Sequence, residues 1–362
     1  MVACILCGAD KQLNQQLLTI TKSVSSDCRQ VSKETKLFQC LECGHYQKPI
    51  SSGYIQNVTE IYESYTPYSL ENGQEQLNYS AELPFTRCNK ILLNCKNLLP
   101  RAEASLLDIG TGSGVMLEAI SNLKKDWQLH AHDVSTHQSA ELIEKFSLCD
   151  FYSESLGDIA KKFDVITLVH VLEHVSTPLE FLDSVRNLLS ESGILIIQVP
   201  NINENPWDFA IFDHISHFTA QRLESLLREF FDFVYFPKNQ ISKEITVIAS
   251  NHKSVPENRQ GNAQTQLCPM AVFQQCVQQF ESLPACYVLG TGPAASFSAY
   301  MLGDKLLGWL DEDKNKIGKY LEGHKINDAN NVYNAPVLLP YPQAQVEEII
   351  KRLPKNEFIK CY

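Results

Sequence analysis

The stretch that most constrains the fold is residues 106–120, which read Leu-Leu-Asp-Ile-Gly-Thr-Gly-Ser-Gly-Val-Met-Leu-Glu-Ala-Ile. An apolar strand runs into Asp108, and a loop and a helix with apolar spacing follow it. The loop contains Gly110, Gly112 and Gly114. Because glycine has no Cβ, the backbone can turn sharply and approach a ligand closely, and the free N–H groups at the start of the helix face that ligand. The stretch therefore predicts a nucleotide-type site on a βα unit.

The composition limits the class of protein. With 362 residues, the chain is longer than one hydrophobic core usually serves, so two or three domains are expected. A formal net charge of −11 argues against a broad nucleic-acid surface, because phosphate binding needs a basic face. No apolar run approaches the roughly 20 residues of a membrane span, and the N-terminus lacks the features of a signal peptide. We therefore expect a cytoplasmic protein that binds neither nucleic acid nor membranes.

Four of the twelve cysteines form two matched pairs near the N-terminus. Cys4 and Cys7, like Cys40 and Cys43, have the Cys-x-x-Cys spacing, and a glycine follows each pair. Four thiolates can close a tetrahedron around Zn²⁺, and the two-residue spacing lets both sulfurs of a pair reach one ion. We interpret these residues as ligands of structural zinc, because four protein ligands leave no open position. Four free thiols and a redox dithiol are the alternatives.

Strand and helix patterns alternate after the glycine loop. Predicted strands span residues 105–109, 128–132, 164–170 and 193–199. This alternation predicts a doubly wound α/β sheet, in which ligands bind at the carboxyl ends of the strands. Asp133 ends the second strand about twenty residues after the glycine loop, where a carboxylate can accept hydrogen bonds from both ribose hydroxyls. Loop and acid together fit either NAD or S-adenosylmethionine (SAM).

Two further features favour SAM. An acid, Asp108, ends the first strand just before the glycines, and predicted strands at 231–236 and 244–249 close the unit as an antiparallel hairpin. Together with the segment 163–174 as fourth strand and exit, these residues resemble the class I methyltransferases. The resemblance implies a SAM site formed by Asp108, Gly110, Gly112, Gly114 and Asp133, with Phe151 near the adenine. His170 either lines this pocket or serves as a core residue.

The whole layout is similar to a narrower family, the sugar C-methyltransferases that act on nucleotide-linked 4-keto-deoxy sugars. That family combines a four-cysteine zinc module, a methyltransferase domain and a C-terminal Rossmann-like domain. Its Glu-His-x-x-x-Phe-Ser segment matches Asp213-His214-Ile-Ser-His-Phe-Thr here, with aspartate in place of glutamate, and its upstream tyrosine has no match. The resemblance places His174 and either Tyr65 or Tyr68, on a predicted loop, among the catalytic residues. It also implies a nucleotide-linked sugar as the small-molecule substrate.

The residues of this segment suit enolate chemistry. A carbon beside a ketone loses its proton to a positioned base when the enolate oxygen is stabilised, and the enolate carbon then attacks the SAM methyl group. We assign His214 as the base, Asp213 as the carboxylate that orients it, and His174 or a tyrosine as partner of the enolate oxygen. No catalytic metal is required, because the sulfonium supplies the driving force. The alternatives are metal binding by Asp213, His214 and His217, and a structural role for His214.

The C-terminal region contains a second glycine loop. A strand at 286–289 enters Gly290-Thr-Gly292, and the next strand ends near Asp311, an arrangement that alone would favour NAD. The missing third glycine favours a degenerate scaffold or support for the sugar nucleotide. The predicted organisation is a zinc ribbon (1–62), a tyrosine-rich lid and helical linker (63–100), a SAM-binding methyltransferase domain (101–252), a linker (253–266) and a Rossmann-like domain (267–362).

The predicted fold class is therefore α/β, with a class I methyltransferase sheet, an N-terminal zinc ribbon and a second, C-terminal Rossmann-like domain. The leading functional hypothesis is methyl transfer from SAM to carbon 3 of a nucleotide-linked 4-keto-deoxy sugar, in deoxysugar biosynthesis. The alternatives are SAM-dependent O-methylation of a sugar or small metabolite, NAD-dependent oxidation or reduction at the C-terminal loop, and a non-catalytic binding module. The sequence does not indicate an oligomeric state.

Overall fold

The structure, a computed structural model, describes residues 3–9, 14–65, 70, 73–75, 77–78, 85–252 and 268–361. Tyr68 and the predicted linker 253–266 lie outside these described residues. Within the described part of the chain, no helix has the length and apolar character needed to cross a membrane.

The N-terminal region forms a small antiparallel sheet and one helix. Its elements are β1 (Asn14–Ile20), β2 (Ser23–Val24), β3 (Gln30–Val31), β4 (Thr35–Cys40), β5 (Tyr46–Gln47) and α1 (Ser52–Glu63). Strand β4 pairs with β1 and β5, whereas β2 and β3 form a separate hairpin. The side chain of Ser51 caps α1 by accepting a hydrogen bond from the Tyr54 amide, which satisfies one free N–H of the first turn. Tyr62 lies in the last turn of α1.

The central region is a seven-stranded sheet with helices on both faces. Its elements are β6 (Leu77–Asn78), β7 (Phe85–Thr86), α2 (Arg87–Cys95), β8 (Ser105–Ile109), α3 (Val115–Leu123), β9 (Gln128–His132), α4 (Ser139–Phe146), β10 (Asp150–Tyr152), β11 (Phe163–Val169), α5 (Pro178–Leu188), β12 (Leu189–Pro200), β13 (Ser216–His217), α6 (Ala220–Leu227), β14 (Phe233–Tyr235) and β15 (Glu244–Ser250). The strand order in the large sheet is β10-β9-β8-β11-β12-β15-β14. Strands β6 and β7 form a hairpin of their own.

The large sheet is parallel from β10 to β12, and β15 runs antiparallel between β12 and β14. Leu107, Ile166 and Ile197 are fully buried on three adjacent strands, because helices cover both faces of a parallel sheet. The chain order reverses between β8 and β11, and ligands of such sheets bind at this switch point. The predicted doubly wound sheet and its closing antiparallel hairpin are confirmed.

The boundaries of two strands differ from the prediction. Strand β12 begins at Leu189, earlier than predicted, because the Leu189 backbone already pairs with Phe163 before a register shift. Strand β14 is confined to Phe233–Tyr235. The third strand, which the sequence left undefined, is Asp150–Tyr152 and pairs with β9.

The C-terminal region forms a second, six-stranded sheet. Its elements are α7 (Pro269–Gln279), β16 (Cys286–Leu289), α8 (Pro293–Leu302), β17 (Leu306–Asp311), β18 (Tyr320–Leu321), β19 (His324–Asp328), β20 (Val337–Leu339), α9 (Gln343–Arg352) and β21 (Phe358–Lys360). The strand order is β18-β19-β17-β16-β20-β21, and all pairs are parallel except β18–β19. This arrangement agrees with the predicted Rossmann-like unit.

The segment 206–217 connects the three regions. Its short strand β13 joins the N-terminal sheet by pairing antiparallel with β5. Trp207 and Phe209, at the start of the segment, pack in one apolar cluster with Phe273 of α7 and Phe297 of α8. The segment is therefore held between the N-terminal sheet and the C-terminal helices, although it leaves the central sheet at β12.

Candidate functional site

The glycine loop has the backbone that the sequence predicts. Gly110, Gly112 and Gly114 have φ angles of 71°, 50° and 79°, in the left-handed region that only glycine adopts without strain. The loop turns back onto β9, because the amides of Gly110 and Thr111 donate to the carbonyl oxygen of His132 at 2.8 and 3.2 Å. The start of α3 is thereby aimed at the carboxyl end of the sheet.

The loop also packs closely against its surroundings. A Cβ added at Gly110 would lie 2.4 Å from the Val171 side chain, and one at Gly114 would lie 2.6 Å from Leu142. Val171 directly precedes the short 3-10 helix Leu172–His174 at the exit of β11. The glycine loop and the residues after the fourth strand therefore lie side by side.

Asp133 extends from the end of β9 to this loop. One carboxylate oxygen accepts a hydrogen bond from the Gly112 amide at 2.9 Å, and the other accepts one from Ser135 at 2.9 Å. Phe151 lies on the neighbouring strand β10 and is partly buried against the same core. The structure thus brings Asp133 to the glycine loop, as a ribose-binding acid requires. Contact of Asp133 and Phe151 with SAM remains a prediction.

Replacing Asp133 with alanine should weaken the binding of S-adenosylhomocysteine (SAH) by roughly 10- to 150-fold. Charge-assisted hydrogen bonds contribute about 1.5–3 kcal/mol each, and the variant loses the carboxylate that is predicted to bind the ribose. Isothermal titration calorimetry measures the effect. Asp126→Ala, which removes an exposed carboxylate beyond α3, is the charge-matched control, and equal affinities of the two variants would contradict the assignment.

Asp108 lies beneath the loop instead of projecting from it. Burial raises the pKa of its carboxyl group to about 6, although the Thr167 hydroxyl, which donates to it at 2.6 Å, opposes that rise. An acid with a raised pKa binds its proton more tightly in the folded chain than in the unfolded one. Folding stability is therefore lost as the pH rises through the interval between the ordinary pKa of 3.8 and about 6.

We expect the free energy of unfolding to fall by up to roughly 3 kcal/mol more in the wild type than in Asp108→Asn between pH 4 and pH 7. The figure corresponds to a shift of about two pKa units. Urea denaturation at a series of pH values measures it. Parallel stability curves for the two proteins would show that Asp108 titrates normally.

His170 ends β11 and has a φ angle of 56°. Its Nδ1 lies 2.9 Å from Glu173 Oε1 and its Nε2 lies 3.3 Å from Glu244 Oε2. Burial disfavours the imidazolium, but Glu244 and Glu173 outweigh burial and raise the pKa of His170 to about 9. The two carboxylates therefore hold both ring nitrogens, a pattern that suits the core role. Its predicted cofactor contact is untested.

A second group of residues lies at the segment 206–217. We call Asp208, His174, His214 and His217 the histidine cluster. Asp208 Oδ1 lies 2.7 Å from His214 Nδ1, and Asp208 Oδ2 lies 2.5 Å from His217 Nδ1. Although burial opposes ionisation of Asp208, the two histidines hold the pKa of its carboxyl well below the ordinary range. One buried carboxylate thus orients two imidazoles.

The structure differs from the predicted Asp213–His214 pair. The Asp213 carboxylate accepts hydrogen bonds from the amide and hydroxyl of Ser26, at 2.8 and 2.5 Å, so it faces the N-terminal hairpin. Consecutive side chains in this tight segment point in different directions, and Asp208 occupies the place beside His214. Burial alone would lower the pKa of His214, but Asp208 outweighs it and the pKa is raised.

His174 reaches the same place from the exit of β11. The rings of His174 and His214 are perpendicular, with centroids 4.6 Å apart. His174 Nδ1 lies 2.9 Å from the carbonyl oxygen of Asp213 and 2.8 Å from the Tyr62 hydroxyl. Tyr65 instead approaches Ser26, with the two hydroxyl oxygens 3.3 Å apart. Among the tyrosines that the structure describes in this segment, Tyr62 is therefore the one at His174, while Tyr68 lies outside the described residues.

The four N-terminal cysteines come together as predicted. Their sulfur atoms all lie within 4.8 Å of one another, and the Cys4–Cys43 and Cys7–Cys40 separations are both 3.6 Å. A tetrahedral site with Zn–S bonds of about 2.3 Å requires sulfur separations of about 3.8 Å. The amides of Gly8 and Gly44 donate to the carbonyl oxygens of Cys4 and Cys40, which gives two matching turns. The cluster therefore has the dimensions of a zinc site.

Replacing Cys7 with serine should lower zinc affinity at least about 100-fold and reduce the melting temperature, because a structural metal contributes folding free energy directly. Cys7 is exposed, so the change removes no packing. Zinc release to a colorimetric chelator and a thermal melt provide the two readouts. The exposed Cys149→Ser variant is the control, and the same zinc retention in both variants would refute a four-cysteine site.

The C-terminal glycine loop is occupied by the chain's own side chains. The Tyr341 hydroxyl lies 1.9 Å from the position that a Cβ of Gly290 would take. Buried Lys316 donates to the Thr291 hydroxyl at 3.0 Å and lies 3.5 Å from Asp311, the acid at the end of β17. The groups that a dinucleotide would use are therefore engaged with one another, which favours the scaffold interpretation.

The sheet order, the closing hairpin and the glycine loop with its placed acid define a class I SAM-dependent methyltransferase domain. Residues 82–233 match the family model described as a methyltransferase domain. The chain is 29% identical over 150 residues to the mitochondrial ubiquinone biosynthesis O-methyltransferase of Saccharomyces cerevisiae, covering 37% of this chain and 47% of that protein. It is 34% identical over 107 residues to the ubiquinone biosynthesis O-methyltransferase of Glaesserella parasuis, covering 26% and 45%.

A SAM-dependent methyltransferase of known structure from Clostridium acetobutylicum aligns with a TM-score of 0.37 and 14% identity, covering 47% of this chain and 93% of that one. The chain spans about half the length of the curated relatives it matches. The matched residues contain the glycine loop, Asp133 and the histidine cluster, but neither the cysteine pairs nor the C-terminal sheet.

Proposed function

We propose that the chain is a SAM-dependent methyltransferase that acts on a hydroxyl oxygen of a small molecule. The supporting observation is the pair of perpendicular imidazoles, His174 and His214, with centroids 4.6 Å apart. Val171, which directly precedes the helix that carries His174, packs against the glycine loop. The matched relatives are named O-methyltransferases, which favours oxygen over the carbon acceptor of the leading sequence hypothesis.

The mechanism uses the two groups of residues separately. SAM, when bound, supplies an electrophilic methyl group on a sulfonium. The glycine loop and Asp133 would hold its nucleoside at the switch point of the sheet. In the histidine cluster, Asp208 fixes the proton of His214 on Nδ1. The lone pair on His214 Nε2 can therefore take the proton of the acceptor hydroxyl. The acceptor oxygen then attacks the methyl carbon as the carbon–sulfur bond breaks, and SAH and a methyl ether result.

A carbon acceptor is the second candidate, and one observation favours it. The segment 206–217 is built into both the N-terminal sheet and the C-terminal apolar cluster, an arrangement similar in layout to the sugar C-methyltransferases. In that case His214 would remove a proton beside the ketone of a nucleotide-linked sugar. Here the zinc module (1–62) and the Rossmann-like region (267–362) would flank the acceptor.

Mass spectrometry with trideuteromethyl-labelled SAM tests the proposal. Wild-type protein is incubated with panels of hydroxylated small molecules and of nucleotide-linked keto sugars, in normal and in deuterated water. O-Methylation predicts a labelled methyl ether with no solvent deuterium on carbon. A labelled product that also exchanges the proton beside a ketone would favour the carbon acceptor, and transfer to neither panel by protein that binds SAH would contradict both.

We further propose that the four cysteines bind one structural zinc ion. The segment 211–215 depends on this module, because its amide at Phe212 donates to the Val24 carbonyl and its carbonyl at Ile215 accepts from the Lys48 amide. Fully buried Lys48 also donates its side-chain N–H to the carbonyl oxygens of Ile211 and Phe212. The module thereby supports the residues that carry His214.

A further inference from the structure

Three Lewis bases converge at the acceptor end of the site. One ring nitrogen of His174, one of His214 and one carboxylate oxygen of Glu173 lie within 4.8 Å of one another. Glu173 is 0% exposed and His214 is 3% exposed. His174 follows Glu173 directly on the 3-10 helix, while His214 comes from the segment held by the N-terminal sheet. Two separate parts of the chain therefore supply these three groups.

The hydrogen bonds at Nδ1 assign the tautomers of both histidines. His214 Nδ1 faces the Asp208 carboxylate at 2.7 Å, and His174 Nδ1 faces the Asp213 carbonyl oxygen at 2.9 Å. An ionised carboxylate and a carbonyl oxygen can only accept, so we assign the proton of each histidine to Nδ1. The Tyr62 hydroxyl, 2.8 Å from His174 Nδ1, then acts as a second acceptor of that N–H. In a neutral imidazole, Nε2 then has the lone pair. Both histidines therefore offer an electron pair at Nε2 and not a donor.

Glu173 adds a third acceptor. Its Oε1 accepts from His170 Nδ1 at 2.9 Å, but its buried Oε2 has no hydrogen-bond partner among the described residues. A buried carboxylate oxygen without a partner is costly, at roughly 1–3 kcal/mol or more. One nitrogen of each histidine and one oxygen of Glu173 thus lie close together, and no described side chain donates a hydrogen bond to Glu173 Oε2.

We propose that Glu173, His174 and His214 bind one divalent transition-metal ion. Two imidazoles and one carboxylate form a ligand set that suits Zn²⁺, Co²⁺, Mn²⁺ or Fe²⁺, and three protein ligands leave positions open for an exogenous oxygen. Histidine ligands of metals characteristically donate their other N–H to a carboxylate or a backbone carbonyl. Asp208 and the Asp213 carbonyl are groups of these two kinds. A cation also satisfies the unpaired oxygen of Glu173.

This inference rests on the proposed function, because it assumes that the acceptor binds at the same place. With the ion present, His214 is a ligand and no longer the base. An acceptor hydroxyl at an open position would have its pKa lowered by the ion and would give its proton to water. Its oxygen would then attack the methyl carbon of SAM as the carbon–sulfur bond breaks, which would give SAH and the methyl ether.

Cobalt binding tests the inference without relying on activity. The full-length protein, loaded with one zinc ion, is titrated with Co²⁺ alone, and visible absorption and calorimetry are recorded. We expect a second equivalent with nitrogen- and oxygen-ligand bands and no thiolate charge-transfer band, which sets it apart from the cysteine cluster. In His174→Gln and Glu173→Gln, affinity for this ion should fall by more than the roughly 10- to 100-fold that loss of a supporting group causes.

The control is His137→Gln, which alters a histidine on the exposed surface. SAH affinity is measured in every variant and identifies a variant that fails to fold. His174 is partly exposed, so His174→Gln removes no core residue. Absence of a second equivalent in the wild type, or unchanged affinity in His174→Gln, would overturn the metal site. If methyl transfer persists in that case, the proposed function stands. If cobalt binds as expected but no acceptor is methylated, the proposed function fails and the metal site stands.

Discussion

Replacing Asp208 with asparagine is expected to reduce methyl transfer about 100- to 1000-fold while SAH affinity stays within twofold. The carboxylate fixes Nδ1 of His214 and His217 at 2.7 and 2.5 Å, and an amide can satisfy only one of these N–H groups as acceptor. Loss of a group that orients a catalytic imidazole typically costs several orders of magnitude in rate, and loss of a group behind a metal ligand costs 10- to 100-fold. Single-turnover transfer from labelled SAM measures the effect.

The matched comparison is Asp213→Asn, since the sequence assigned the orienting role to that residue. Its carboxylate contacts Ser26 and lies 3.7 Å from His174 Nδ1, but it does not contact the His214 ring. We therefore expect a loss of less than about 10-fold, from weakened hydrogen bonds and a weakened ion pair with His174. A larger loss in Asp213→Asn than in Asp208→Asn would restore the assignment made from sequence.

Gly110→Ala is expected to destabilise the folded protein by roughly 2–5 kcal/mol and to abolish measurable SAH binding. The new methyl group would lie 2.4 Å from Val171 Cγ2, at a φ angle of 71°. The left-handed conformation costs a residue with a Cβ about 1–2 kcal/mol, and an overpacked core costs a further 1–3 kcal/mol. Relief of the clash must move Val171, and with it the helix that carries Glu173 and His174. Urea denaturation and calorimetry with SAH measure both effects.

Gly323→Ala separates backbone strain from steric overlap. Its φ angle is 77°, and nothing lies within 4 Å of the added Cβ, so we expect a loss of only about 1–2 kcal/mol and normal SAH affinity. Similar losses for the two variants would mean that backbone strain alone explains the Gly110 effect.

The sequence predicts the cofactor half of the site because its signals are local. Residues 105–133 contain a strand, a glycine turn, a helix and a terminal acid in chain order, and each follows from short-range periodicity or backbone freedom. The two cysteine pairs are equally local in their spacing. The glycine loop and its acid can therefore be predicted without knowing any contact to distant parts of the chain.

The acceptor half was predicted less well because it depends on long-range contacts. Asp208 lies within the apolar run Trp207–Ala210, on a one-turn helix that no periodicity marks. A charged residue in such a run was the available signal, because ionised groups are buried only where a partner neutralises them. The sequence assigned Tyr65 or Tyr68 to the site, whereas the described tyrosine that contacts His174 is Tyr62, on helix α1. The pairing of β13 with β5, which aims His214 and His217, joins residues about 170 apart and is invisible to local patterns.

The most direct measurement of the central claim is single-turnover methyl transfer from trideuteromethyl-labelled SAM to a hydroxylated acceptor, followed by mass spectrometry, in wild type and Asp208→Asn. The account predicts a labelled methyl ether in the wild type and a loss of at least about 100-fold in the variant, with equal SAH affinity by calorimetry. Equal transfer rates in the two proteins, or a wild type that binds SAH yet labels no acceptor oxygen or carbon, would contradict it.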